Sequence, residues 1–103
     1  MTARVIGLYG QPDDPEEWDR YYSDVHMPIA RKIPGFQALR VSRVLSALDG
    51  SEAPYSLVAQ VSFDNMQALQ SALNSPEGQE TAEDYARIAP PGSMLLIVED
   101  LET

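Results

Sequence analysis

The nine residues from Tyr55 to Phe63 (YSLVAQVSF) alternate without a break: Tyr55, Leu57, Ala59, Val61 and Phe63 share one face, and Ser56, Val58, Gln60 and Ser62 the other. A period of two over that length describes a strand with one strongly apolar face. The preceding Asp49–Pro54 (DGSEAP) reads as a turn. Before it, Gln37–Leu45 (QALRVSRVL) sets Leu39 and Val41 against Arg40 and Ser42, so the two runs are expected to pair as a hairpin. Val44 beside Leu45 suggests a slip or bulge near the end of the first of them.

The flanking segments must cover this sheet. Ala3–Tyr9 (ARVIGLY) is a short strand with apolar side chains on both faces, Val5 and Tyr9 on one, Ile6 and Leu8 on the other. Asp14, with Glu17 three residues on and Pro15 in the first helical position, opens a helix. The run Asp14–Phe36 reads as one long helix kinked near Pro28, which lacks an N–H for the carbonyl of Asp24, and ended by Pro34-Gly35. At a regular helical pitch, Trp18, Tyr22, Val25 and Ile29 form its apolar stripe and His26 sits at the edge. Asp64 is expected to cap a second helix that turns Met66, Leu69, Ala72 and Leu73 inward. Ser75-Pro76 opens a third, running to Ile88 and burying Ala82, Tyr85 and Ile88 or Ala89, with Gly78 weakening its first turn by about 1 kcal/mol. Pro90-Pro91-Gly92 stops it, and Ser93–Leu101 (SMLLIVEDL) is a last strand so continuously apolar that both faces are expected to be buried.

The order β-α-β-β-α-β, with the second α region in two pieces, is the ferredoxin-like α+β arrangement: a four-stranded antiparallel sheet with helices on one face. A length of 103 residues supports one core, so residues 1–103 are expected to form a single domain. The helix-free face would carry Ile6 and Leu8, or Leu95 and Ile97. Such a patch is too apolar to leave in water, and sheet-to-sheet packing into a homodimer follows.

Composition removes several function classes. Sixteen acidic residues against seven scattered basic ones give a formal charge of −9, so nucleic acid is not an expected partner. With one His and no Cys there is no familiar metal cluster, and the acids Asp13, Asp14, Glu16 and Glu17 read as favourable charge at a helix start. No segment approaches the roughly 20 apolar residues of a membrane span, and the first residues do not look like a secretory signal. Without Cys, a cytoplasmic location is the default expectation, with no membrane partner. No phosphate-cradling Gly-rich loop or dinucleotide fingerprint is present, so no cofactor is expected.

His26 is the default general acid or base, its unperturbed pKa lying near neutrality. Tyr22, one turn earlier, could hydrogen-bond to it or donate to a developing enolate oxygen. Tyr9, Trp18, Phe63 and Tyr85, with Tyr21 and Tyr55, could line a pocket between helices and sheet. The residues also fit a blander reading, in which His26 is satisfied by solvent or a carbonyl freed at Pro28 and the aromatics are plain core. A single His can also serve a haem, but no other residue favours one.

The segment YYSDVHMPIARKIPGF, Tyr21–Phe36, following an opening LYGQPDD, closely resembles the EthD family, whose signature is a Tyr-rich helix, His-x-Pro and then Pro-Gly. The spacing of Tyr22, His26, Pro28 and Pro34-Gly35 is its most specific part. The resemblance covers almost the whole chain and implies a dimeric α+β barrel. It places the presumed functional His at His26 and the neighbouring aromatic at Tyr22. It also implies a small enzyme of small-molecule catabolism, a cofactor-independent oxidoreductase or an isomerase/cyclase. Its substrate would be an apolar oxygenated compound of aromatic, lactone or polyketide-like type. The alternative is a non-catalytic protein that binds such a ligand for a partner degradative enzyme.

Overall fold

A computed structural model describes residues 1–103. The elements are β1 (Ala3–Gly10), α1 (Pro15–Tyr21), a π-helical turn (Tyr22–His26), α2 (Met27–Ala30), β2 (Ala38–Arg43), β3 (Tyr55–Phe63), α3 (Met66–Asn74), α4 (Pro76–Ile88) and β4 (Met94–Glu99). The strands form one antiparallel sheet in the order β2-β3-β1-β4, the ferredoxin-like arrangement expected from the sequence. No helix is long and apolar enough to cross a membrane.

Register decides which residues share a face. Val5, Gly7 and Tyr9 of β1 pair with Val61, Ala59 and Leu57 of β3. All six lie under the helices. Here the small pair Gly7–Ala59 leaves a gap between two packed clusters. One cluster is built from Ala3, Ile33, Phe63, Leu69 and Ala72, and the other from Tyr9, Tyr22 and Leu57. A side chain at Gly7 would press on Leu95 and on the Tyr9 ring, both 3.3 Å from where its Cβ would stand. The core is thus divided, and the division is written into the sheet.

The first helical region departs from the single kinked helix read from the sequence. Between α1 and α2 the backbone widens, with the Met27 N–H reaching back five residues to the carbonyl of Tyr22. Such a turn holds more than four residues, so side chains four apart line up while those three apart fall short. Trp18, Tyr22 and His26 therefore stand in one row, each ring 5.1 Å from the next. Val25, expected on the apolar stripe, is exposed, and His26, expected at its edge, is buried. Pro28 lies after the distortion, inside α2, rather than at its centre.

Other expectations shift by smaller amounts. Asp14 accepts the Glu17 N–H at 3.3 Å and Ser75 the Gly78 N–H at 3.0 Å, both as capping predicts. The cap of α3 is Asn65, not Asp64: its side chain accepts the Ala68 N–H at 2.8 Å. Gly78 has a structural reason, because a Cβ there would lie 2.1 Å from the Ala72 carbonyl oxygen where α4 crosses α3. Along α4, Ala82 is exposed, and the buried positions are Gly78 and Asp84.

β4 is not buried on both faces. It is an edge strand whose Leu95 and Ile97 are 46% and 51% exposed. These two lie on the helix-bearing side, opposite Gly7 and Val5. The helix-free face instead presents Ile6 and Leu8 beside Leu96 and Met94, its cross-strand partners. An apolar run at a sheet edge is thus a surface in the isolated chain, and periodicity alone does not distinguish it from core.

Candidate functional site

The void opened by Gly7 and Ala59 is a cavity of about 90 Å³ between sheet and helices, fifteen of whose nineteen lining residues are hydrophobic. His26 and Met27 of the first helical region and Thr81 and Tyr85 of α4 form part of its roof. The one ionisable imidazole of the chain therefore stands at an apolar chamber.

Its partner was not legible as such. His26 Nδ1 lies 2.7 Å from Asp84 Oδ2, with His26 only 4% and Asp84 2% exposed. The Tyr21 hydroxyl donates to Asp84 Oδ1 at 2.8 Å, and Arg87 approaches the same oxygen at 3.9 Å. A buried carboxylate is strongly unfavourable unless its oxygens are satisfied, and here both are. A carboxylate only accepts, so the proton between the pair belongs to Nδ1, which leaves Nε2 as the ring nitrogen without a partner in the chain. No buried side-chain nitrogen or oxygen lacks a partner, and Nε2 bonds to nothing in the chain. It therefore keeps accessible surface, and the ring to which it belongs lines the cavity.

The tyrosines around this pair are held as neutral phenols. Burial pushes Tyr22 up to about 12, the neighbouring Tyr9 hydroxyl working in the opposite direction. Burial also raises Tyr9, further than Tyr22, and raises Tyr85. Tyr21 is raised first by its hydrogen bond to Asp84. A phenol that stays protonated can donate to an oxygen on which negative charge develops.

Of the residues singled out by sequence, His26, Tyr22, Tyr9, Phe63 and Tyr85 meet at the cavity wall. Trp18 does not. It packs against Tyr9 and Tyr22 from behind, and its indole N–H donates to the Ile88 carbonyl at 2.7 Å. It braces the site from outside the lining. A reading of α4 by its apolar residues alone passes over Asp84. A stripe reading that admitted Thr81, Asp84, Tyr85 and Ile88 as one inward row would have exposed an acid where an aliphatic residue normally sits.

Comparison with known proteins agrees with the fold and extends it. Residues 11–91 match the EthD domain. An uncharacterized 11.0 kDa protein from the thcB-thcC intergenic region of Rhodococcus erythropolis is 32% identical over 97 residues, 94% of this chain and 93% of that one. The crystal structure of an EthD family protein from Bacillus halodurans C-125 superposes with a TM-score of 0.91 at 31% identity, covering 98% of this chain and all of that one. SnoaB, a cofactor-independent oxygenase from Streptomyces nogalater, shares the fold at a TM-score of 0.68 and 16% identity, with 99% and 95% of the chains covered. Full-length similarity in sequence and backbone alike, with the domain match spanning the His26 helix and the Asp84 helix together, means that this chain belongs to the EthD family.

Proposed function

We propose that this protein is a small homodimeric enzyme that moves a proton on an apolar, oxygenated small molecule without a resident cofactor. The observation that carries the reading is the imidazole of His26, held by buried Asp84 and open to an apolar cavity. Asp84 fixes the ring and its tautomer, and Nε2 takes a proton from an acidic C–H or O–H of the ligand. A cavity phenol, Tyr22 first and Tyr85 or Tyr9 beside it, donates to the ligand oxygen on which the charge collects. Tyr9 and Phe63 give the apolar body of the ligand its walls.

Return of that proton to a different carbon is an isomerisation, and attack of the carbanion on a carbonyl of the same ligand, whose oxygen then takes the proton, is a ring closure. Transfer of electrons from the resulting anion to O₂ is an oxidation, an outcome supported by the likeness in fold to a cofactor-independent oxygenase. An apolar aromatic, lactone or polyketide-like compound with an acidic position next to an oxygen suits both outcomes. The dimer is inferred from the uncovered face carrying Ile6, Leu8, Met94 and Leu96.

Exchange of an acidic C–H into D₂O, followed by NMR over a panel of hydroxyaromatics, β-diketones and unsaturated lactones, tests the reading whatever the eventual product. The wild type accelerates exchange for one class, and His26→Ala loses roughly 100- to 10,000-fold of that acceleration. Equal exchange by the two proteins would overturn it. The apolar lining equally suits a carrier for a partner enzyme, and a ligand recovered unchanged whose binding survives His26→Phe would establish that reading instead.

A further inference from the structure

A second recess lies next to the first. A cleft of about 270 Å³ opens between β2 and the π turn, at the outer edge of the sheet. Tyr22, Met27 and Val41 line both the cleft and the His26 cavity, so one layer of side chains separates them. Their chemistry differs. The inner chamber is nearly all apolar, whereas the cleft carries Arg31 and Arg43 with Asp19 and Ser23.

Arg43 is already engaged: its two terminal nitrogens meet the two carboxylate oxygens of Asp19 at 3.3 and 2.9 Å. Arg31, the residue that closes α2, forms no ion pair. Two guanidiniums against one carboxylate leave a surplus of one positive charge in the cleft of a chain whose formal charge is −9. Arg31 therefore has an open planar fork, the geometry that pairs with a carboxylate, and the Ser23 hydroxyl is available as a further donor. Met27, unbranched and deformable, stands where a ligand would pass between the two recesses.

We infer that the cleft receives the carboxylate of an amphiphilic monoacid whose apolar part enters the His26 cavity between Tyr22, Met27 and Val41. The inference rests on the reading of that cavity as the ligand site. Arg31 supplies the charge, Arg43 held by Asp19 shapes the opposite wall, and Asp19 discourages a second negative charge. The substrate class narrows accordingly: one acid group at one end, and an oxygenated apolar portion at the other.

The test compares 3-phenylpropanoate with its neutral amide by isothermal titration, on wild type, Arg31→Gln and His26→Ala. The wild type is expected to bind the acid about tenfold more tightly than the amide, a preference that shrinks with added salt. Arg31→Gln removes the preference and leaves amide binding unchanged. Equal affinity for acid and amide, equal weakening of both by Arg31→Gln, or no binding of either overturns the proposal. His26→Ala separates it from the proton-transfer reading: a preference that persists while His26 proves dispensable for exchange sinks catalysis and leaves the acid cleft standing.

Discussion

The indole N–H of Trp18 donates to the carbonyl of Ile88 at 2.7 Å, joining the helix that leads to His26 to the end of the helix that carries Asp84. The two halves of the buried pair come from opposite halves of the chain. Trp18 ties their supports together on the far side of Tyr22. Trp18→Phe keeps an aromatic side chain but strips a partly buried carbonyl of its partner, and is expected to cost about 2 kcal/mol of stability in urea unfolding. An unchanged midpoint would show that water replaces the indole freely.

Asp84→Asn preserves shape but leaves one acceptor oxygen to serve both the His26 ring and the Tyr21 hydroxyl, so the His26 tautomer is no longer fixed. Nitrogen NMR of the imidazole should show Nδ1 protonated in the wild type and a mixture of tautomers in the variant. Activity in the exchange assay should fall roughly 100- to 10,000-fold. A single unchanged tautomer in the variant would mean that Asp84 serves packing alone.

The buried phenols make the fold sensitive to alkali. Tyr22 ionises near its ordinary value of 10.0 when unfolded and at about 12 when folded, and burial moves Tyr9 the same way. A raised folded pKa means that the unfolded chain loses protons first, so the stabilisation is whole below about 10 and drains away as pH rises toward 12. Unfolding midpoints measured across that window should fall, and Tyr22→Phe should flatten the decline. A midpoint independent of pH in that range contradicts the burial of these rings.

Sedimentation velocity at micromolar concentration should give a dimer. Leu96 is 40% exposed and pairs with Ile6 on the helix-free face, so Leu96→Asp should yield a folded monomer. A wild-type monomer under these conditions would rule out the sheet-to-sheet dimer.

Much of the fold was legible because it rests on local rules. The alternation of Tyr55–Phe63, the caps at Asp14 and Ser75, and the stop at Pro90-Pro91-Gly92 each act over a few residues. What escaped depends on distant pairing. Gly7 is an ordinary glycine until the register sets it against Ala59, and Asp84 is an ordinary helical acid until His26 arrives across the core. The β4 run misled because hydrophobicity records burial against any partner, including one outside the chain. His26 stood out as a candidate, but its burial could not be read from a pitch of about 100° per residue, since the backbone there does not keep that pitch.

That broken pitch has an implication for how such a site arises or disappears. The segments on either side of Tyr22–His26 are out of phase by about one residue, as though a single position had been inserted into a continuous helix. Deleting one residue between Tyr22 and His26 would restore a common phase, leave His26 only three residues after Tyr22 and so about 60° short of a full turn, and carry the imidazole out of the Trp18–Tyr22 row and away from Asp84. A one-codon deletion could therefore abolish the pair while both side chains remained in the sequence. For this helix, length is as much a determinant of chemistry as composition.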